Sequence, residues 1–65
     1  MVDISMLKAQ MALKGETGRS LAKKMGIHEN RVYYKLKTGS FTLKDCTKLI
    51  KILDIENPSE IFFAE

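Results

Sequence analysis

The sequence predicts a compact all-α domain built from five short helices. Apolar residues recur at spacings of three and four, and no segment of useful length shows the alternation of a half-buried strand. Glycines and N-cap residues separate the apolar segments at intervals that suit short helices. Because a chain of 65 residues has room for only one small core, residues 1–65 are interpreted as a single domain.

The first two helices are predicted from apolar spacing and from the residues at their ends. A first helix is expected from about Ile4 to Lys14, with Gly15 ending it. Thr17 is a favourable N-cap for a second helix at about residues 18–25, and Gly26 permits a sharp turn after it. The residues expected to face inward on these two helices are Ile4, Leu7, Met11, Leu21, Ala22 and Met25.

Similar signals divide the second half of the chain into three more helices. A third helix is expected at about residues 28–37, with Val32 and Leu36 facing inward. Thr42 and Asp45 resemble a capping box that opens a fourth helix. Its expected inward residues are Leu43, Cys46, Leu49, Ile50 and Leu53. A short fifth helix is predicted from a cap, a proline and an acid three residues after the cap, followed by an apolar run: Asn57, Pro58, Glu60, Ile61, Phe62 and Phe63. The last three of these residues are expected to supply its packing surface.

The net charge of +3 is unevenly distributed along the chain. Between residues 14 and 37 seven cations stand against two acids, which gives this part a net charge of +5. From residue 38 onward five acids outnumber three lysines, so the C-terminal part carries −2. The middle of the chain is therefore the part expected to bind a polyanion.

The sequence lacks the patterns of an enzyme, a metal site or a membrane protein. It contains no glycine-rich phosphate loop, no metal-ligand cluster and no recognisable acid/base pair of carboxylates, so we expect no catalysis, cofactor or small-molecule substrate. Cys46 is expected to be a core residue, and His28 a helix cap or a neighbour of a phosphate. Because no signal peptide and no spanning segment are visible, a cytoplasmic location is expected.

The third predicted helix presents a mixed polar and aromatic face to solvent. With Val32 and Leu36 inward, the residues turned outward are Glu29, Asn30, Tyr33, Tyr34 and Lys37, with Arg31 at the edge. Two adjacent exposed tyrosines indicate that something packs on this face. The major groove of DNA admits one α-helix, and its base edges offer donors and acceptors that such side chains can contact.

This part of the chain also resembles a known family. Leu21-Ala22-Lys23-Lys24-Met25-Gly26-Ile27, followed by Val32 and Leu36, is similar to the helix-turn-helix of the Cro/phage-repressor family, also called the xenobiotic-response-element family. The similarity continues through Phe41-Thr42-Leu43 and Ile61-Phe62-Phe63. The resemblance implies a five-helix DNA-binding domain of that type. In it, the second helix points its N-terminus at a phosphate and the third lies in the major groove.

The resemblance also implies individual DNA contacts. Glu29, Asn30 and Tyr34 occupy the positions that usually touch base edges. The positions expected near phosphates are Thr17, Gly18, Arg19, His28, Lys37 and Ser40.

The chemistry of these side chains leaves some roles open. Asn30 can make paired hydrogen bonds to adenine, whereas Glu29 either accepts from cytosine or complements the positive end of its helix. Arg31 is assigned to bases, with a phosphate contact or a surface ion pair as alternatives. Tyr33 is assigned to the sugar-phosphate backbone, with a place at the core edge as the alternative.

The sequence departs from the family pattern at three places. Where members often pair an arginine with a glutamate, this chain has Met11 and Leu36, for which an apolar contact is expected. Lys35 stands where an apolar residue is common, and the loop glycine falls one place later, at Gly39. Glu16 stands where an apolar residue usually anchors the turn.

The function expected from these observations is that of a phage- or mobile-element-type, Cro-like repressor, associated with the bacterial nucleoid. It would bind a two-fold operator as a homodimer, and one of Phe62 and Phe63 would contribute to the dimer contact because a small core cannot bury both. The alternative is a protein-interaction module, antitoxin-like or host-factor-binding, in which Tyr33 and Tyr34 contact protein.

Overall fold

Five α-helices make up the computed structural model, which describes residues 2–63. They are α1 (Ile4–Leu13), α2 (Gly18–Met25), α3 (Glu29–Thr38), α4 (Leu43–Leu53) and α5 (Pro58–Phe62). No strand occurs within the described part of the chain. With extents of 28 × 22 × 19 Å, the domain is compact, and the prediction of an all-α domain of five short helices is confirmed.

The second helix begins and ends where its cap residues predict. The Thr17 side chain accepts a hydrogen bond from the Ser20 amide, while the Ser20 hydroxyl accepts one from the Thr17 amide, forming a reciprocal capping box. Gly26 ends the helix at φ 73°, a left-handed conformation in which glycine is favoured. The turn is closed by a 3.1 Å hydrogen bond from the Ile27 amide to the Ala22 carbonyl.

The third helix starts on a histidine cap. Nδ1 of His28 accepts a hydrogen bond from the Asn30 amide at 3.1 Å, which confirms His28 as a cap. The helix continues to Thr38, one residue beyond the expected end, where Gly39 closes it in the left-handed conformation. Because Val32 and Leu36 are only 2% and 8% exposed, the helix is held in one rotation about its axis.

One core joins all five helices. Its buried members are Leu7, Met11, Leu21, Ala22, Met25, Val32, Leu36, Cys46, Leu49, Leu53, Ile55, Ile61 and Phe62. α2 and α3 form the most extensive helix–helix contact, and the small side chain of Ala22 lies within it. Met11 and Leu36 both belong to this core, so these two positions have the apolar environment expected for them.

Three expectations about the C-terminal half are wrong. Leu43, expected inward, is exposed because it occupies the first position of α4, where no other helix covers it. Asn57 makes no side-chain cap bond to α5, since the backbone there has another conformation. Phe63 lies beyond the end of α5 and is exposed, whereas Ile61 and Phe62 fill the packing surface. The expectation that Phe62 and Phe63 are not both buried is confirmed.

A partly buried ion pair ties α3 to α4. Nζ of Lys35 lies 2.7 Å from Oδ2 of Asp45, and these side chains are 13% and 16% exposed. The same carboxylate oxygen accepts from the Thr42 amide, which completes the predicted capping box. Lys35 thus bridges two helices instead of packing in the core.

The environment of Asp45 makes its charged form more stable than in water. Partial burial acts to raise the pKa of Asp45, but the hydrogen bonds from Lys35 and from the Thr42 amide outweigh it and lower the pKa. A lowered folded-state pKa contributes stability that is present above the unfolded pKa and lost as pH falls through the folded pKa.

Backbone carbonyls at two helix ends form further links between helices. Lys48 Nζ on α4 lies 3.3 Å from the carbonyl of Met25, the last residue of α2. The Asp3 amide, just before α1, donates to the Ile61 carbonyl of α5 at 2.6 Å. These bonds satisfy carbonyls that helix termini otherwise leave unpaired.

No helix in residues 2–63 is both long enough and apolar enough to cross a membrane.

The Lys35–Asp45 pair predicts an acid-sensitive stability. Asp45→Asn should lower the free energy of unfolding at neutral pH by about 1–2 kcal/mol, because a neutral acceptor replaces a charged one. It should also flatten the decline in stability that the parent protein shows below about pH 4. Urea unfolding followed by circular dichroism, at neutral and acidic pH, measures both effects.

Glu56→Gln serves as the control for that measurement, because Glu56 is exposed and takes part in neither ion pair of the described chain. If the free energy of unfolding of Asp45→Asn falls with acid as steeply as that of Glu56→Gln, the Lys35–Asp45 pair does not cause the acid sensitivity.

Candidate nucleic-acid interface

The exposed face of α3 carries most of the residues predicted to contact bases. Asn30, Arg31 and Tyr34 are exposed, and Tyr34 retains 62% of its surface. Their outward position follows from the burial of Val32 and Leu36 on the opposite side of the same helix. The face therefore combines an amide, a guanidinium and a phenol at positions reachable by one ligand surface.

Glu29 differs from the other predicted base-contacting residues because it is half-buried. It lies in a depression of about 200 Å³ at the turn between α2 and α3, together with Arg19, Lys23 and His28. In the first turn of α3, its carboxylate is at the positive end of the helix dipole. The structure thus places Glu29 beside the α2 cations, at the side of the α3 face.

A cleft of about 290 Å³ joins the α3 face to the loop that follows it. Asn30, Arg31, Tyr34 and Lys35 form one wall, and Ser40 contributes the other. Ser40, predicted to contact phosphate, is thereby brought next to three of the predicted base-contacting residues. Its position depends on Lys35, whose Nζ lies 3.4 Å from the Ser40 carbonyl.

The Tyr33 ring packs against Gly18, the first residue of α2. Gly18 is buried, and a Cβ atom added to it would lie 2.6 Å from Cε1 of the Tyr33 ring. A larger residue at this position would therefore force the Tyr33 ring to shift. Half of the Tyr33 surface remains exposed, so the ring packs on α2 and also faces solvent. No spacing in the sequence marks this contact.

A second ion pair lies just before α2, at Glu16. In the sequence alone, Glu16 is only a polar residue in the place of an expected apolar one. The Glu16 carboxylate accepts from the Ser20 hydroxyl at 2.6 Å and pairs with Lys24. Hydrogen bonds from Lys24 and Ser20 lower the pKa of Glu16. The spacing of four residues between Glu16, Ser20 and Lys24 is the signal that predicts such a cluster on one helix face.

The two ion pairs determine which cations remain unpaired around the interface. In the described chain they involve Lys24 and Lys35 only. The other cations of α2 and α3 have no acidic partner within residues 2–63: Arg19, Lys23, Arg31 and Lys37. Positive charge is therefore available on the exposed sides of both helices.

The predicted phosphate-contacting residues fall into two groups. Thr17, Gly18 and Arg19 begin α2, with the Thr17 oxygen already accepting from the Ser20 amide. Lys37 lies in the last turn of α3, and Ser40 follows it. His28 and Tyr33 lie between the two groups, as the cap of α3 and the cover of Gly18.

Cys46 lies apart from this surface. It is buried in the core as expected. Burial, followed by the nearby charge of Asp45, raises the pKa of its thiol, so the thiolate needed for nucleophilic attack or metal binding is disfavoured. Within residues 2–63 no three side chains of His, Cys, Asp or Glu are grouped to hold a metal ion.

Comparison with known proteins adds no assignment to this geometry. No protein-family model matches the chain, and searches of curated proteins and of solved structures found no match either.

Proposed function

We propose that this protein is a sequence-specific double-stranded DNA-binding regulator of transcription, of the Cro-like helix-turn-helix type, in which α3 enters the major groove. The observation that carries the proposal is the exposed α3 face of Asn30, Arg31 and Tyr34, whose orientation is determined by buried Val32 and Leu36. Unpaired cations border this face, as a polyanion ligand requires.

In this proposal the two helices have different tasks. α3 provides sequence preference through hydrogen bonds to base edges, with Asn30 suited to adenine and Arg31 to guanine. Glu29, beside Arg19 and Lys23, accepts from a cytosine amino group or orients those cations. The N-terminus of α2, with Thr17, Gly18 and Arg19, holds one phosphate, while His28, Tyr33, Lys37 and Ser40 bind others and position α3.

A single recognition helix contacts only a few base pairs, so the proposal includes a homodimer on a two-fold site. The half-sites would then lie about 34 Å apart, one turn of the duplex. The exposed ring of Phe63, just after α5, is the proposed dimer contact. A phage- or mobile-element-type repressor in a bacterial cytoplasm is the role we infer.

The second candidate is a protein-interaction module that uses the same face. It is favoured by the two adjacent tyrosines, Tyr33 and Tyr34, which are 50% and 62% exposed and resemble the aromatic residues enriched at protein interfaces. Binding through aromatic side chains depends weakly on salt, whereas binding to DNA phosphates weakens steeply as salt rises. The salt dependence of binding therefore distinguishes the two candidates.

Asn30→Ala tests base contact directly. After the preferred site has been selected from a random DNA pool, this variant should bind it about 1–3 kcal/mol more weakly, because paired hydrogen bonds to one base are lost. Binding to unrelated duplexes should change little. Fluorescence anisotropy at constant salt measures both affinities, and an equal loss on every sequence would reject Asn30 as a base-contacting residue.

Lys37→Ala tests phosphate contact. The variant should bind all duplexes more weakly and reduce the slope of log affinity against log salt by about 0.9, because one fewer counterion is released. Lys51→Ala is the matched control, since Lys51 is also exposed in the last turn of a helix but lies on α4. Equal salt slopes of the DNA affinity for the two variants would show that Lys37 makes no phosphate contact.

Phe63→Ser tests the dimer contact. Light scattering on the parent protein should give the mass of two chains on operator DNA, and the variant should lose cooperative binding to the two half-sites while retaining its fold. The fold should be unaffected because the ring lies outside the core. A parent protein that stays monomeric with and without operator would contradict the proposed dimer.

A further inference from the structure

A groove lined by α1 and by residues 54–61 contains none of the residues proposed to contact DNA. Ile55 and Ile61, both buried, form its floor, while exposed Met6 and Leu13 of α1 stand along its edge. The groove shares no residue with the clefts around α3. A ligand seated there would leave the proposed DNA surface free.

The outer face of α1 exposes several apolar side chains. Ile4–Leu13 contains one charged residue, Lys8, and its exposed positions include Met6, Ala9 and Leu13. Exposed Ser5 and Lys8 interrupt this surface, but Met6, Ala9 and Leu13 leave apolar side chains uncovered. Here the inner face packs Leu7 and Met11 into the core, and the outer face has no partner within residues 2–63.

The charges around the groove specify the chemistry of the missing partner. Three acids, Asp54, Glu56 and Glu60, line it, and Lys14 is the one cation in its lining. None of these three carboxylates takes part in the two ion pairs of the described residues. A second copy of the chain seated through the same groove would bring six carboxylates against two lysines, so self-association there is electrostatically unfavourable.

The size of the groove favours side chains of a protein over a small ligand. Its volume of about 260 Å³ is below the range of about 300–1,000 Å³ typical of small-molecule sites. The lining is mixed: Met6 and Leu13 of α1 offer apolar surface, and most of the other lining side chains are polar or charged. An amphipathic helix, whose apolar side chains recur every three and four residues beside polar ones, suits a surface of this kind.

We propose that this groove is the docking site for a cationic amphipathic helix of another protein. Apolar side chains of that helix pack on exposed Met6 and Leu13, and its lysines or arginines face Asp54, Glu56 and Glu60. The inference goes beyond DNA binding and does not depend on it, because the two surfaces share no residue. The protein would then bind DNA through the cations of α2 and α3 and a basic protein through the carboxylates of the groove.

The test uses the full chain and a synthetic helical peptide with a leucine stripe flanked by lysines. The same peptide with every lysine replaced by glutamate is the control. Amide chemical shifts should change at residues lining the groove on adding the cationic peptide and not on adding the acidic one. Shift changes confined to α2 and α3, or no binding of the cationic peptide, would overturn the proposal.

Two exposed leucines provide matched variants. Leu13→Ser should weaken peptide binding about tenfold, as expected for an anchor residue at an interface, whereas Leu43→Ser should leave the affinity unchanged. The two side chains are 73% and 72% exposed, so neither substitution removes a core contact. Equal losses in both variants would contradict the groove as the binding site.

The charged side of the groove is tested separately with Glu56→Gln/Glu60→Gln, which should weaken binding and reduce its salt dependence. An unchanged salt dependence would overturn the cationic assignment. Sedimentation without peptide tests whether a second copy of the chain occupies the groove instead. A dimer that Leu13→Ser dissociates would show self-association through the groove and reject the partner proposed here. Because no DNA is present in these measurements, their outcome is separate from that of the Asn30→Ala and Lys37→Ala experiments.

Discussion

The burial of Val32 and Leu36 against the core is the constraint on which the α3 surface depends. These two residues are four apart, so burying both leaves α3 one possible rotation and turns Asn30 and Tyr34 toward solvent. The left-handed turn at Gly26 delivers the chain from α2 to α3 within three residues. Replacing either apolar side chain with a polar one would remove the core packing that holds α3 in this orientation.

Packing fixes the orientation of α2 and α3, and two ion pairs determine which of their cations remain unpaired. Glu16 pairs with Lys24, and its carboxylate also accepts from Ser20 of the α2 capping box. Asp45 pairs with Lys35 and is itself part of the α4 capping box. The carboxylates therefore serve local structure while the cations left over lie on the exposed sides of the helices.

The local signals of the chain were sufficient for most of the backbone. Thr17, Gly26 and Thr42 determine helix ends through bonds to residues at most a few positions away, so the bounds of α2 and the start of α4 were predictable. The same reasoning failed at Leu43 because helical spacing indicates a face but not whether another helix covers its end. It failed at Asn57 because the backbone there does not adopt the expected cap conformation.

By itself the sequence determined the all-α class, the helix order, the outward face of α3 and the location of the positive charge, since each depends on neighbours along the chain. Only the tertiary structure decided that Tyr33 lies on Gly18, that Lys35 reaches Asp45, and that α1 and α5 border an acidic groove. These contacts join residues on different helices. Their existence depends on the angles at which the helices pack, and no pattern of local spacing encodes those angles.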